Sequence, residues 1–206
     1  MAELNELKNL REQVGKILTS DACQKINFTL ENVRVDGSDY FYVALALLNT
    51  ATRTSHVKFK IDPSIAANAQ YLIEANTFVF RAAGVAFDQG NGHRTIVHEA
   101  THAVIDAKSE KTKVLRITNE MAAFIAGSLY NVFTGNHANT DVQIYRQAHA
   151  IAETMNRQIS RYNYSGAYVI HAWQTKALRM AILAHTAYAS LKSDPNATYG
   201  DDGLPL

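Results

Sequence analysis

The hydrophobic pattern of this 206-residue chain changes from strand to helical period near residue 92, and that change limits what it can fold into. Upstream, His56-Val57-Lys58-Phe59-Lys60-Ile61 alternates polar and apolar residues and reads as a half-buried strand, stopped by Asp62-Pro63. Gln70-Tyr71-Leu72-Ile73 and Asn76-Thr77-Phe78-Val79-Phe80 are β-rich and joined through Glu74-Ala75, the pattern of a hairpin. Asp88-Gln89-Gly90-Asn91-Gly92 is a loop. From Thr95 onward apolar residues recur at helical spacing, and helices are predicted over about 95–107, 115–133, 140–160 and 166–191. Thr140-Asp141 caps the third, whose stripe is Ile144, Ala148, Ile151, Met155 and Ile159. The fourth carries Trp173, Leu178, Ile182 and several alanines around much of its circumference, which predicts burial on more than one side.

Nearer the start, Leu4, Leu7, Leu10, Val14 and Ile17 mark a first amphipathic helix. Thr19-Ser20-Asp21 ends it and caps a second helix expected to reach Leu30. Asp36-Gly37 is a turn, and Tyr40 to Leu48 fits either a helix or a strand. With no internal repeat and no linker, one domain is expected over 1–192, with a loose tail over 193–206. The expected class is α+β, a small β-sheet or hairpin region followed by a mostly helical C-terminal half. A net charge of +1 offers no basic excess for phosphates, so nucleic acid is not an expected partner. The one cysteine, Cys23, can form no internal disulfide and has no cationic neighbour in sequence, so it reads as a buried apolar residue. No signal-peptide pattern and no run of 18 apolar residues appear. The expectation is a protein that spans no membrane and is cytoplasmic where it is made, with signal-less export left open. Oligomeric state is not legible.

The chemistry concentrates in Thr95-Ile96-Val97-His98-Glu99-Ala100-Thr101-His102-Ala103-Val104, a His-Glu-x-x-His run within a helix-compatible segment. Four residues is just over one helical turn, so both imidazoles project from one face and can converge on one Zn²⁺. Glu99 follows the first ligand and is aimed past the metal, toward a zinc-bound water whose proton it can take. A catalytic zinc needs a third protein ligand, and Glu120 in Asn119-Glu120-Met121-Ala122-Ala123-Phe124 is the best placed. The seventeen residues between His102 and Glu120 suffice to finish one helix, turn and return antiparallel. A carboxylate inside an apolar helix needs a partner or a metal, whereas an exposed glutamate at a helix start would need neither. Asp106, one turn beyond His102, reads as a cap or a surface acid.

His98-Glu99-x-x-His102 followed by Asn119-Glu120 resembles the gluzincin group of zinc metallopeptidases, over about residues 70–130. That resemblance implies a zincin-like core, with His98, His102 and Glu120 holding zinc, Glu99 as general base and Asn119 bracing the site. It also implies a peptide or protein substrate, with the strand Thr77 to Phe80 as the edge that pairs with it. Where many gluzincins carry an aspartate four residues after the glutamate ligand, this chain has Phe124, so orientation of the zinc histidines must come from elsewhere. Neither a third motif histidine nor a methionine turn is present, which disfavours a metzincin.

An oxyanion-stabilising group is also required. Tyr71, Tyr130, His149, Tyr164, Tyr168 and His171 are candidates. Tyr164 and His171, in the later helical region near Gly166, are preferred. His56, His93, His137 and His185 read as surface or core histidines. Two rival readings stand beside the peptidase: a zinc-stabilised binding or regulatory domain without catalysis, and an all-helical interaction protein with an accidental motif, in which His98 and Glu120 lie far apart.

Overall fold

The structure, a computed structural model, describes residues 2–48, 57–108, 113–136, 141–162 and 166–198. Helix α1 (Ala2–Leu18) buries Leu10, Val14 and Ile17 as its stripe requires, while the side chain of Leu4 lies outside the described residues. Ser20 caps α2 (Asp21–Gln24), which stops there instead of running to Leu30. Residues 27–30 form β1 (Asn27–Leu30), because Phe28 and Leu30 alternate with half-buried Asn27 and Thr29, and a strand buries that pattern better than a helix. β1 pairs antiparallel with β2 (Val33–Asp36) and parallel with β6 (Tyr168–Ile170). The ambiguous stretch is helix α3 (Gly37–Leu48). Cys23 is fully buried, and burial pushes its thiol up to about 12, in keeping with an inert apolar role.

The second sheet comprises β3 (Lys58–Ile61), β4 (Ala69–Leu72) and β5 (Thr77–Phe80). The hairpin forms as expected, through a 3₁₀ turn at Ile73–Ala75 and Asn76 in the left-handed region. The strand order is β3-β5-β4, with β3 parallel to β5. Thr77–Phe80 is therefore the central strand and not the edge, because β3 returns to its far side. β3 and β4 are the edge strands, and β4 is the one that packs against the following helix. Phe59 stacks on Phe80 at 4.8 Å and Tyr71 meets Phe78 at 4.9 Å within this sheet.

Helix α4 (Asn91–Lys108) begins where the Asp88 carboxylate accepts the N–H groups of Gly90 and Asn91, at 3.1 and 3.2 Å. Gly92 is required there: a Cβ would lie 2.0 Å from the carbonyl oxygen of Val85. Helix α5 (Arg116–Thr134) returns antiparallel, since Asn119 meets His102, Gly127 meets Arg94 and Asn131 meets Gly90. Every residue from Ile117 to Asn131 is buried, so α5 is the central helix, and it ends at Gly135 with φ +68°. Helix α6 (Gln143–Tyr162) covers it, burying Ile144, Ala148, Ile151 and Met155. Thr140, half of the expected cap, lies outside the described residues.

The predicted helix over 166–191 divides into β6, α7 (Ala172–Ala184), a 3₁₀ turn at Thr186–Tyr188 and α8 (Ala189–Ser193). Tyr168 and Ile170 alternate with exposed Val169 in a strand recruited by β1, a partner too distant in sequence for local spacing to reveal. Nor is α7 buried on several sides: Leu178 and Ile182 face the core, but Trp173 is 76% exposed and Met180 61%. Of the expected tail, Ala197 accepts the Arg116 N–H at 2.9 Å and Thr198 bridges to Leu115, and 199–206 lie outside the described residues. The chain is thus α+β, with two small sheets around a helical centre. Among the described residues no helix is long and apolar enough to cross a membrane.

Candidate metal centre

Helix periodicity brings His98 and His102 to one face of α4, and the antiparallel return of α5 brings Glu120 opposite them. The two Nε2 atoms are 3.2 Å apart, and Glu120 lies 3.7 Å from His98 Nε2 and 3.9 Å from His102 Nε2 through its two oxygens. These distances remove the reading in which His98 and Glu120 are far apart. Tetrahedral ligands at about 2.0–2.1 Å from zinc sit about 3.3–3.4 Å from one another, so this set needs only small adjustments to close on one ion. One ligand atom from each of the three residues lies within 4.8 Å of the others, and a His₂Glu set suits zinc. The residues present therefore fit a metal.

The orientation of each ligand has a visible cause. His102 Nδ1 is 2.6 Å from Asn119 Oδ1, and because an amide oxygen only accepts, Nδ1 carries the proton and Nε2 presents its lone pair to the cluster. His98 is held by packing: the ring of Phe124 meets it edge-on at 4.4 Å, in the place where many gluzincins carry an aspartate. Burial, then His102 and Arg94, hold His98 well below the usual histidine range, so its imidazole is neutral and able to ligate. Glu120 is buried, as a ligand should be and an exposed helix-start glutamate would not.

Asn119→Ala is expected to weaken divalent-metal affinity about 10- to 100-fold without unfolding the chain, read by competition with a chromophoric chelator. An unchanged affinity would show that the 2.6 Å bond does not set the ligand's orientation.

Glu99 stands beside this cluster, with Oε1 4.0 Å from His98 Nε2 and Oε2 accepting the backbone N–H of Tyr71 at 2.8 Å. Burial pushes its carboxyl up to about 7; His102 and the Tyr71 N–H oppose that rise and Glu120 adds to it. The Tyr71 side chain points the other way, its hydroxyl donating to Asp106 at 2.9 Å. Asp106 is thus buried and hydrogen-bonded beneath β4, and the surface-acid expectation fails because a tyrosine from another element reaches it.

Two cavities, of about 320 and 530 Å³, open on either side of His98 and Glu99 along the outer edge of β4. Both are lined by Tyr188, which spacing arguments passed over because it belongs to the short 3₁₀ turn after α7. It shares the larger cavity with Glu99 and Glu120. Burial, followed by the nearby Glu120 and Glu99, keeps its proton bound far above the usual tyrosine range.

The preferred oxyanion candidates do not share this position. Tyr164 lies outside the described residues. His171 is the exposed N-cap of α7, its N–H donating to Gln174, beside the other sheet and away from both cavities. Tyr130 bonds His93 at 3.2 Å, Tyr168 accepts from Gln174, and His149 pairs with Glu153 on α6, so these three serve local structure. His185 caps the turn that carries Tyr188, and His56 and His137 lie outside the described residues. Comparison of the chain with family models, with curated proteins and with solved structures finds no match.

Proposed function

We propose that this chain is a zinc-dependent metallopeptidase of gluzincin type that hydrolyses peptide bonds. The observation that carries the reading is the convergence of His98, His102 and Glu120 beside a buried glutamate, in a cleft that runs along an open strand edge. A zinc ion held by those three residues supplies Lewis-acid activation of water and polarisation of a carbonyl oxygen. The chain's own groups do the rest. Glu99, anchored by the Tyr71 N–H, takes the proton from the attacking water and passes it to the departing amine. Tyr188, which lines both cavities, donates its hydroxyl to the developing oxyanion. β4 offers main-chain donors and acceptors to an extended peptide. A three-strand sheet set against the site helix, with the glutamate helix behind it, supports a zincin-like fold.

Zinc-loaded protein is expected to cleave a mixed library of unstructured peptides, and a strong chelator to abolish the cleavage until zinc is restored, with products followed by mass spectrometry. Stoichiometric zinc without any cleavage would favour the non-catalytic binding domain instead.

A further inference from the structure

The two histidines of the cluster are steadied by different means. His102 has its Nδ1 bonded to Asn119, whereas the polar contacts of His98 among the described residues all run through Nε2, the atom that faces His102, Glu99 and Glu120. A ligating histidine ordinarily has its second nitrogen fixed by a hydrogen bond, which sets the plane of the ring. At His98 that task falls to packing. The ring that packs is Phe124 on α5, with 4.4 Å between centroids and 66° between planes.

Phe124 is in turn held by α6. Tyr145 meets it edge-on, with 5.5 Å between centroids and 67° between planes. The Tyr145 ring lies under the guanidinium of Arg94, whose carbon is 3.6 Å from the ring centroid. Arg94 stands one turn before His98 on α4, is buried, and donates to Asn91 Oδ1 at 3.0 Å. Its edge is thus tied to its own helix while its face covers the tyrosine. These contacts form a closed circuit, from α4 through α6 and α5 and back to α4. Perpendicular ring pairs are favoured by their quadrupoles, and a cation over a ring holds best where water is excluded. Tyr188 meets the same phenyl ring at 6.1 Å, so Phe124 neighbours both the ligand and the hydroxyl that lines the two cavities.

We propose that Phe124 is the positioning residue for His98, and that Tyr145, locked beneath Arg94, keeps Phe124 in place. The proposal rests on the metal-site part of the peptidase reading. It gives α6 a function at the site although none of its residues is a ligand. Leucine at position 145 would offer no face to the cation and no edge to Phe124. Phenylalanine there would keep both, so the two substitutions separate the ring from the hydroxyl.

Two measurements test it. The first follows the carbon–proton signals of the His98 imidazole by NMR in metal-free protein, assigned by their absence from His98→Ala. The wild type should give one sharp set, displaced by the ring current of Phe124. Phe124→Leu should remove the displacement. Tyr145→Leu, which leaves Phe124 in the chain, should move the signals part of the way in the same direction, and Tyr145→Phe should leave them in place. The second measures zinc and cobalt affinity by competition with a chromophoric chelator. Phe124→Leu is expected to weaken binding about 10- to 100-fold. Tyr145→Leu should weaken it about 3- to 10-fold, and Tyr145→Phe should stay within about twofold of wild type.

Because Tyr145 acts through Phe124, adding Tyr145→Leu to Phe124→Leu should change the affinity by no more than about twofold further. Additive losses would mean that Tyr145 works by another route, and they overturn the proposal. So do His98 signals that stay unmoved in Tyr145→Leu, or a wild-type affinity in either single leucine variant. Where circular dichroism shows a leucine variant unfolded, methionine takes its place with the same expectations, since it too lacks a ring. If wild-type protein binds neither metal, the metal-site reading fails. The His98 signals in metal-free protein still decide the positioning claim, so the two failures are distinguishable.

Discussion

Glu99→Gln is expected to lower kcat by about 10²- to 10⁴-fold while the protein still carries its full complement of zinc. The substitution keeps the shape of the side chain, and an amide oxygen can still accept the Tyr71 N–H that now holds Oε2 at 2.8 Å. What it removes is the capacity to take and release a proton. Glu99 Oε1 stands 4.0 Å from His98 Nε2, beside the ligand set formed by His98, His102 and Glu120. Metal retention and loss of turnover should therefore separate cleanly, with steady-state kinetics and elemental analysis made on the same sample. Full activity in the variant would mean that another group moves the proton. Loss of the metal would mean that Glu99 is a ligand.

Tyr188→Phe should lower kcat about 10²- to 10³-fold at saturating zinc, with little change in KM. The phenyl ring preserves the edge-on packing against Phe124, whose centroid is 6.1 Å away, so the variant deletes a hydroxyl and little else. Burial and the nearby Glu120 and Glu99 hold that hydroxyl's proton far too firmly to leave at neutral pH. It is therefore a donor that can be shared with a developing negative charge and not a source of free protons. The comparison at saturating zinc matters, because a change beside Glu120 could also act through metal affinity. A kcat equal to wild type under that condition would exclude Tyr188 from the reaction.

The parts of the site that were legible in the sequence are those set by local geometry. Four-residue spacing puts His98 and His102 on one face of any helix, and seventeen residues allow one turn and an antiparallel return, which is how Glu120 arrives. Asn119 beside it was named through the gluzincin resemblance and not through geometry, and it meets His102 Nδ1 at 2.6 Å. The hairpin of β4 and β5 followed from two β-rich runs in close succession.

What could not be read depends on partners far apart along the chain. β6 becomes a strand only because β1, some 140 residues earlier, offers it an edge, and the helical pattern of its neighbours masked it. β5 was expected at the edge because nothing local reveals that β3 lies parallel on its far side. Tyr188 comes from a three-residue turn that no periodicity marks, yet it lines the cavity that holds Glu120. Asp106 looked like a surface acid until the Tyr71 hydroxyl was seen to meet it.

The central claim is that three residues from two helices form one metal site. It is tested most directly by the metal content of purified, reconstituted and dialysed protein, comparing wild type with His98→Ala and Glu120→Ala. The account predicts about one zinc per wild-type chain and a loss of it in both variants, each of which should keep its helical circular dichroism. Wild-type protein that holds no zinc after reconstitution, or variants that hold it as well as wild type, would contradict the account.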